Sequence, residues 1–118
     1  MFGASTATVV LSGNNEVPPN KSDAAGTCAI VIGADKSVTG SVSVSGMIAT
    51  AAHVHLAGAG KNGPVIVPLK KSGDSWVPAD GAKLTDAQYA SYLAGDLYVN
   101  VHSSTYPGGE VRGQLAAK

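Results

Sequence analysis

Apolar and polar residues alternate along much of this chain, most cleanly in two stretches of six residues. Over residues 51–56, an extended backbone puts Ala52, Val54 and Leu56 on one face and His53 and His55 on the other. Over residues 97–102, Leu97, Val99 and Val101 share one face, and Tyr98, Asn100 and His102 share the opposite one. Each stretch predicts a strand with an apolar, core-facing side. The same pattern predicts strands at 6–12, 26–32, 38–44, 65–69 and 110–115. Within 38–44, Val38, Gly40, Val42 and Val44 alternate with Thr39, Ser41 and Ser43, as in a half-buried antiparallel strand. The run Cys28 to Ile32 is apolar throughout and predicts burial on both faces. Pro68 has no N–H to offer a ladder, so 65–69 is expected at a sheet edge.

One segment changes period. Thr85-Asp86-Ala87-Gln88 fits a capping box, with Leu84 and Tyr89 placed for a hydrophobic staple. Alanines follow, and Gly95 is a natural stop, so a helix is expected over 86–94. Tyr89, Tyr92 and Leu93 are its expected packing face. The loops carry their own signals. Asn14, Asn15, Pro18 and Pro19 make the 13–19 segment an extended loop that holds Glu16. Three glycines and Pro64 mark 57–64 as a loop that matches no phosphate-binding pattern. Pro107-Gly108 suits a type II turn, and the short connection pairs 97–102 with 110–115 as a hairpin. That pairing brings the polar side of the last strand (Glu110, Arg112, Gln114) beside Asn100 and His102.

Composition supports this reading. A length of 118 residues is one domain, 1–118, able to bury a core without staples. Fifteen glycines and six prolines demand many turns, and only 14% of residues are charged, so ion-paired helices are not expected. The fold class that follows is all-β, an antiparallel, Greek-key-like β-sandwich with one short helix. A net charge of zero and no basic run speak against nucleic acid or an anionic membrane surface as partners. No apolar run approaches a transmembrane helix. The single cysteine, Cys28, excludes an internal disulfide and falls in phase with Ile30 and Ile32, as a buried hydrophobe does. Met47 also reads as core packing. The start, Met1-Phe2-Gly3, lacks a basic region before an apolar run; the expectation is a cytosolic chain or a mature form without its leader.

The candidate chemistry lies in the histidines. If the strands at 51–56 and 97–102 are neighbours, His53, His55 and His102 converge on one face. Three imidazoles without an intervening carboxylate suit copper, with zinc as the alternative. Glu110, Asn100 and Glu16 are candidates for a fourth ligand or for partners that fix the imidazole tautomers. Arg112 is expected to pair with a carboxylate. No Gly-x-Ser-x-Gly elbow is present, and Glu110 is the one candidate general base, so catalysis is the weaker reading.

Four ordered motifs resemble those of the CHRD domain, the unit repeated in the extracellular protein chordin. They are Gly13-Asn14-Asn15-Glu16-Val17-Pro18-Pro19; His53-Val54-His55-Leu56-Ala57-Gly58 with Asn62-Gly63-Pro64-Val65; Gly95-Asp96-Leu97-Tyr98-Val99-Asn100-Val101-His102; and Pro107-Gly108-Gly109-Glu110-Val111-Arg112-Gly113-Gln114-Leu115. The resemblance implies a bacterial single-domain member, a β-sandwich, and a periplasmic or extracellular home. His-x-His on a sandwich strand is also similar to the copper strand of Cu,Zn superoxide dismutase. That dinuclear site uses a bridging imidazole and more histidines than three, so dismutase activity is not carried over. The expected function is a small exported copper-binding protein for storage, buffering or delivery. The expected partners are a metal ion and a second copy of the chain or another protein. The alternatives are a chordin-like interaction module with structural histidines, and a copper or zinc enzyme with an open three-histidine site.

Overall fold

The alternation becomes ten strands and one α-helix in the computed structural model, which describes residues 8–117. The strands are β1 (Val9–Ser12), β2 (Ala25–Cys28), β3 (Val31–Ile32), β4 (Val38–Thr39), β5 (Val42–Ser45), β6 (Ala51–Leu56), β7 (Val65–Ser72), β8 (Ser75–Pro78), β9 (Leu97–His102) and β10 (Val111–Gln114); α1 is Asp86–Leu93. The expected first strand began at Thr6; Thr6 and Ala7 lie outside the described residues.

Eight strands form a closed antiparallel barrel in the order β1-β10-β9-β6-β7-β8-β5-β2, with β3 and β4 a separate two-stranded pair. The expected open sandwich is therefore corrected to a barrel. Both architectures require the same inward–outward alternation, and closure depends on which strand ends meet. Here they meet along two short seams. β1 joins β10 through the single pair Ser12↔Arg112, and β5 joins β8 through Val42↔Trp76 and Ser43↔Ser75. The interior is filled by the apolar face of each strand, including Leu11, Val42, Val54, Leu97, Val99, Val101 and Val111, all fully buried. Burying one such side chain contributes about 1.5–3 kcal/mol.

Gly40 explains why the expected strand 38–44 is two strands. Its φ is +102°, and a Cβ there would sit 2.1 Å from the Ala29 carbonyl oxygen. The chain bends at that point. Its partner run 26–32 is likewise divided into β2 and β3. Ala29 is exposed between buried Cys28 and Ile30, so the run is not buried on both faces as expected. Cys28 is in the core, where burial pushes its thiol up to about 11. β7 is longer than expected and sits between β6 and β8, so the edge position inferred from Pro68 is corrected. The β8 ladder begins only at Leu69↔Pro78, which leaves Pro68 paired with His53 of β6 alone.

The helix forms as the capping box dictates. Gln88 N–H donates to Thr85 Oγ1 at 3.1 Å, and Thr85 N–H donates to Gln88 Oε1 at 2.9 Å. Tyr92 is fully buried and Tyr89 packs partly on the core, but Leu93 is exposed rather than packed. No helix among the described residues is long and apolar enough to cross a membrane.

Candidate metal centre

Two pairings place the histidines. β6 and β9 are antiparallel neighbours with His53↔Asn100, His55↔Tyr98 and Ala51↔His102 in register. Because all three histidines are on the outward phase of adjacent strands, their rings gather on one patch of the barrel wall. Ring centroids are 4.8 Å apart for His53 and His102, 5.6 Å for His53 and His55, and 6.2 Å for His55 and His102. One nitrogen from each ring lies within 4.8 Å of the other two. Two nitrogens each about 2 Å from one metal ion lie at most about 4 Å apart. The widest gap would thus have to close by about 1 Å.

Loop carbonyls orient two of the rings. His55 Nδ1 is 2.9 Å from Gly63 O, and His102 Nδ1 is 2.9 Å from Pro107 O. A carbonyl only accepts, so both Nδ1 atoms carry the proton and both Nε2 atoms carry a lone pair. His53 Nδ1 lies 3.0 Å from His102 Nε2 and donates to it. His55 Nε2 is buried and makes no hydrogen bond. Burial is the main cause lowering the pKa of His53, and the nearby His102 and His55 add to it. Burial also lowers that of His55, against the opposing pull of the Gly63 carbonyl and the Asn100 side chain. Burial thus favours the neutral form of His53 and His55, the form in which imidazole binds metal.

Arg112 and Gln114 take the outward phase as expected, but much of that face is covered, and Gln114 is half-buried. Tyr98, Asn100, Glu110 and Arg112 are each less than 7% exposed. The 57–64 loop folds over Arg112 and Tyr98. Arg112 Nη1 donates to Asn62 Oδ1 at 3.1 Å, and Nη2 donates to Lys61 O at 2.6 Å and Gly58 O at 3.3 Å. Its guanidinium lies 3.4 Å from the Tyr98 ring centroid. This corrects the expected carboxylate partner: Arg112 makes no ion pair among the described residues and feels Glu16 only through space. Tyr98 in turn stacks on His55, centroids 4.7 Å apart and planes within 3°, and its hydroxyl accepts from Gly63 N–H.

A family model of the CHRD domain matches residues 7–115 of the 118. The chain belongs to the CHRD domain family. No curated protein and no solved structure matches it. The three histidines of this CHRD domain come together as the alternation implied.

The other candidates divide. Glu110 accepts from Ser22 Oγ with one carboxylate oxygen and from Ser103 Oγ at 2.6 Å with the other, so it ties loops together. Asn100 Oδ1 is buried without a partner, beside His53 in the ladder. Glu16 is also buried, with Oε2 unpartnered. Burial pushes its carboxyl up to about 7 against the opposing effects of Arg112 and Asn100. Gly109 permits this approach. Its φ is +130°, and a Cβ there would meet Glu16 Oε2 at 2.5 Å and Asn100 Nδ2 at 2.6 Å. Sequence reasoning missed Tyr98, Asn62 and the carbonyls of Gly63 and Pro107. The only signal for them was that they fall within the family motifs beside the histidines.

Proposed function

We propose that this CHRD domain binds one copper ion through His53, His55 and His102, and serves to store, buffer or deliver it. The observation that carries the reading is His55 Nε2, a buried lone pair with no donor, next to two further imidazole nitrogens. An unpartnered buried acceptor is costly, and a cation relieves it. The donor set fits copper. Neutral imidazoles bind Cu(I), Cu(II) and Zn(II), and at a nitrogen site Cu(II) exceeds Zn(II) in affinity. Zinc is the second choice. Gly63 and Pro107 would supply the hydrogen bonds that raise imidazole basicity and fix ring orientation. The His53–His102 hydrogen bond requires His53 to move its proton to Nε2 before Nδ1 can serve as a ligand. Asn100 is a better placed fourth contact than Glu110, whose oxygens are both engaged.

The proposal sets the protein in the periplasm or outside the cell, as the likeness to chordin-type proteins implies. An interaction module with structural histidines is the second reading, favoured by family membership and by the hydrogen bonds that tie His55 and His102 to loops. Titration with Cu(II) and Zn(II) at neutral pH, followed by calorimetry, separates the two. One equivalent bound, with binding lost in His55→Ala and His102→Ala, supports the metal site. Weak binding that neither substitution alters refutes it.

A further inference from the structure

Three histidines leave one position of a four-coordinate metal unfilled. Asn100 is placed to take it. It lies directly opposite His53 in the ladder of β6 and β9, and it shares the outward phase of β9 with His102, two residues on. It is 3% exposed, and its Oδ1 is buried without a partner, as is His55 Nε2. Two unpartnered buried acceptors on one patch call for a donor or a cation. Burial lowers the pKa of His55, and the Gly63 carbonyl and the Asn100 side chain oppose it. An amide opposes it only with its oxygen toward the ring.

The other end of the amide decides where that oxygen points. Nδ2 reaches Gly108 O at 3.5 Å, and a carbonyl only accepts, so this end is the nitrogen. Its second hydrogen is left for Glu16, whose buried Oε2 has no hydrogen-bond partner. Both atoms crowd Gly109. A Cβ there would lie 2.5 Å from Glu16 Oε2 and 2.6 Å from Asn100 Nδ2, so the two are no more than about 5 Å apart. The Glu16 loop is itself pinned, by Asn62 Nδ2 donating to Val17 O at 2.9 Å and Asn20 Nδ2 donating to Glu110 O at 3.1 Å. An amide oxygen added to three imidazoles makes a nitrogen–oxygen set. Such a set suits Cu(II) or Zn(II), whereas soft sulfur selects Cu(I). Cys28 lies in the core and Met47 packs against it. We propose that Glu16 is a positioning residue of the metal site: it takes an amide hydrogen of Asn100, so that Oδ1 faces the histidines as fourth ligand and the cargo is a divalent ion rather than Cu(I). This role presupposes the site of His53, His55 and His102.

The test uses the full chain. Cu(II) and Zn(II) affinities are measured by chelator competition, and Cu(I) affinity in the same way under anaerobic, reducing conditions. Glu16→Leu removes the acceptor. It should weaken Cu(II) and Zn(II) binding about 10–100-fold, as loss of a ligand's hydrogen-bond partner does, and leave Cu(I) binding unchanged. Asn100→Ala should weaken the divalent ions at least as much. A merely structural role would weaken all three ions alike. Glu16→Gln keeps an acceptor and should bind Cu(II) more tightly than Glu16→Leu. The native chain adds a reading that needs no substitution: in ¹⁵N-labelled protein, the Asn100 side-chain amide should shift saturably with one equivalent of Zn(II). Unchanged divalent affinity in Glu16→Leu or Asn100→Ala, an equal loss of Cu(I) affinity, Glu16→Gln no tighter than Glu16→Leu, or an unmoved Asn100 amide would each overturn the role of Glu16. If divalent binding vanishes in His55→Ala while Glu16→Leu and Asn100→Ala leave it untouched, the metal site stands and this role falls. No binding of any ion to the native chain removes both.

Discussion

Glu16→Gln tests how the buried carboxyl is held. The folded protein keeps that carboxyl protonated up to about 7, against an ordinary value of 4.5, mainly because burial penalises the charge. Folding therefore favours the protonated form. This contribution is fully present below the unfolded value and is lost as pH rises through the folded one. At about 1.36 kcal/mol per pH unit, the interval between 4.5 and about 7 corresponds to about 3 kcal/mol. Glutamine keeps the shape and carries no titrating proton. The native protein should thus lose about 3 kcal/mol relative to Glu16→Gln between pH of about 4.5 and about 8. The assay is urea denaturation of both proteins, metal-free, at several pH values across that window. Histidine titration is common to both proteins and cancels in the difference. A stability difference that stays flat across the window, or one that moves toward the native protein as pH rises, refutes the reasoning.

Acid should act on the histidines with the opposite sign. His53 and His55 resist protonation in the folded state, so their contribution is present above the ordinary histidine value of 6.5 and is lost as pH falls through their lowered folded values. Histidine ¹H–¹⁵N titrations of metal-free protein should show both midpoints below that value; midpoints at or above it contradict the burial argument. Arg112→Lys should cost about 2–4 kcal/mol, because an ammonium cannot span the three acceptors that the guanidinium fork satisfies. A change under about 0.5 kcal/mol, the size of an ordinary surface effect, would mean the 57–64 loop is held by something else. Gly109→Ala should cost about 1–3 kcal/mol from the positive φ and should weaken metal binding by displacing Asn100. Chemical denaturation and copper calorimetry on the same variant check both; unchanged affinity would remove Asn100 from the site.

Legibility in the sequence followed the range of the interactions involved. The helix, its capping box and the 97–102 hairpin depend on neighbours a few residues apart, and all were readable. The histidine cluster was readable because strand alternation fixes the phase of His53, His55 and His102, and one pairing, β6 with β9, does the rest. Barrel closure was not readable, because it turns on where strand ends separated by most of the chain meet, as Ser12 meets Arg112. The break at Gly40 was hidden in the alternation, since glycine fits the apolar phase while its backbone leaves the strand. The burial of Arg112 and Tyr98 was hidden for a further reason. Alternation says which side of a sheet a residue occupies, and cannot say that a glycine-rich loop 50 residues away in sequence will cover that side.

The seam where β1 meets β10 has a mechanical consequence. Arg112 is half of its single pair, and the same residue bolts down the 57–64 loop and lies against Tyr98, on which His55 rests. A force that pries the N-terminal strand away therefore pulls on the pin that keeps an imidazole in place. Whatever grips that strand from outside the barrel, another chain included, gains a lever on the histidine cluster.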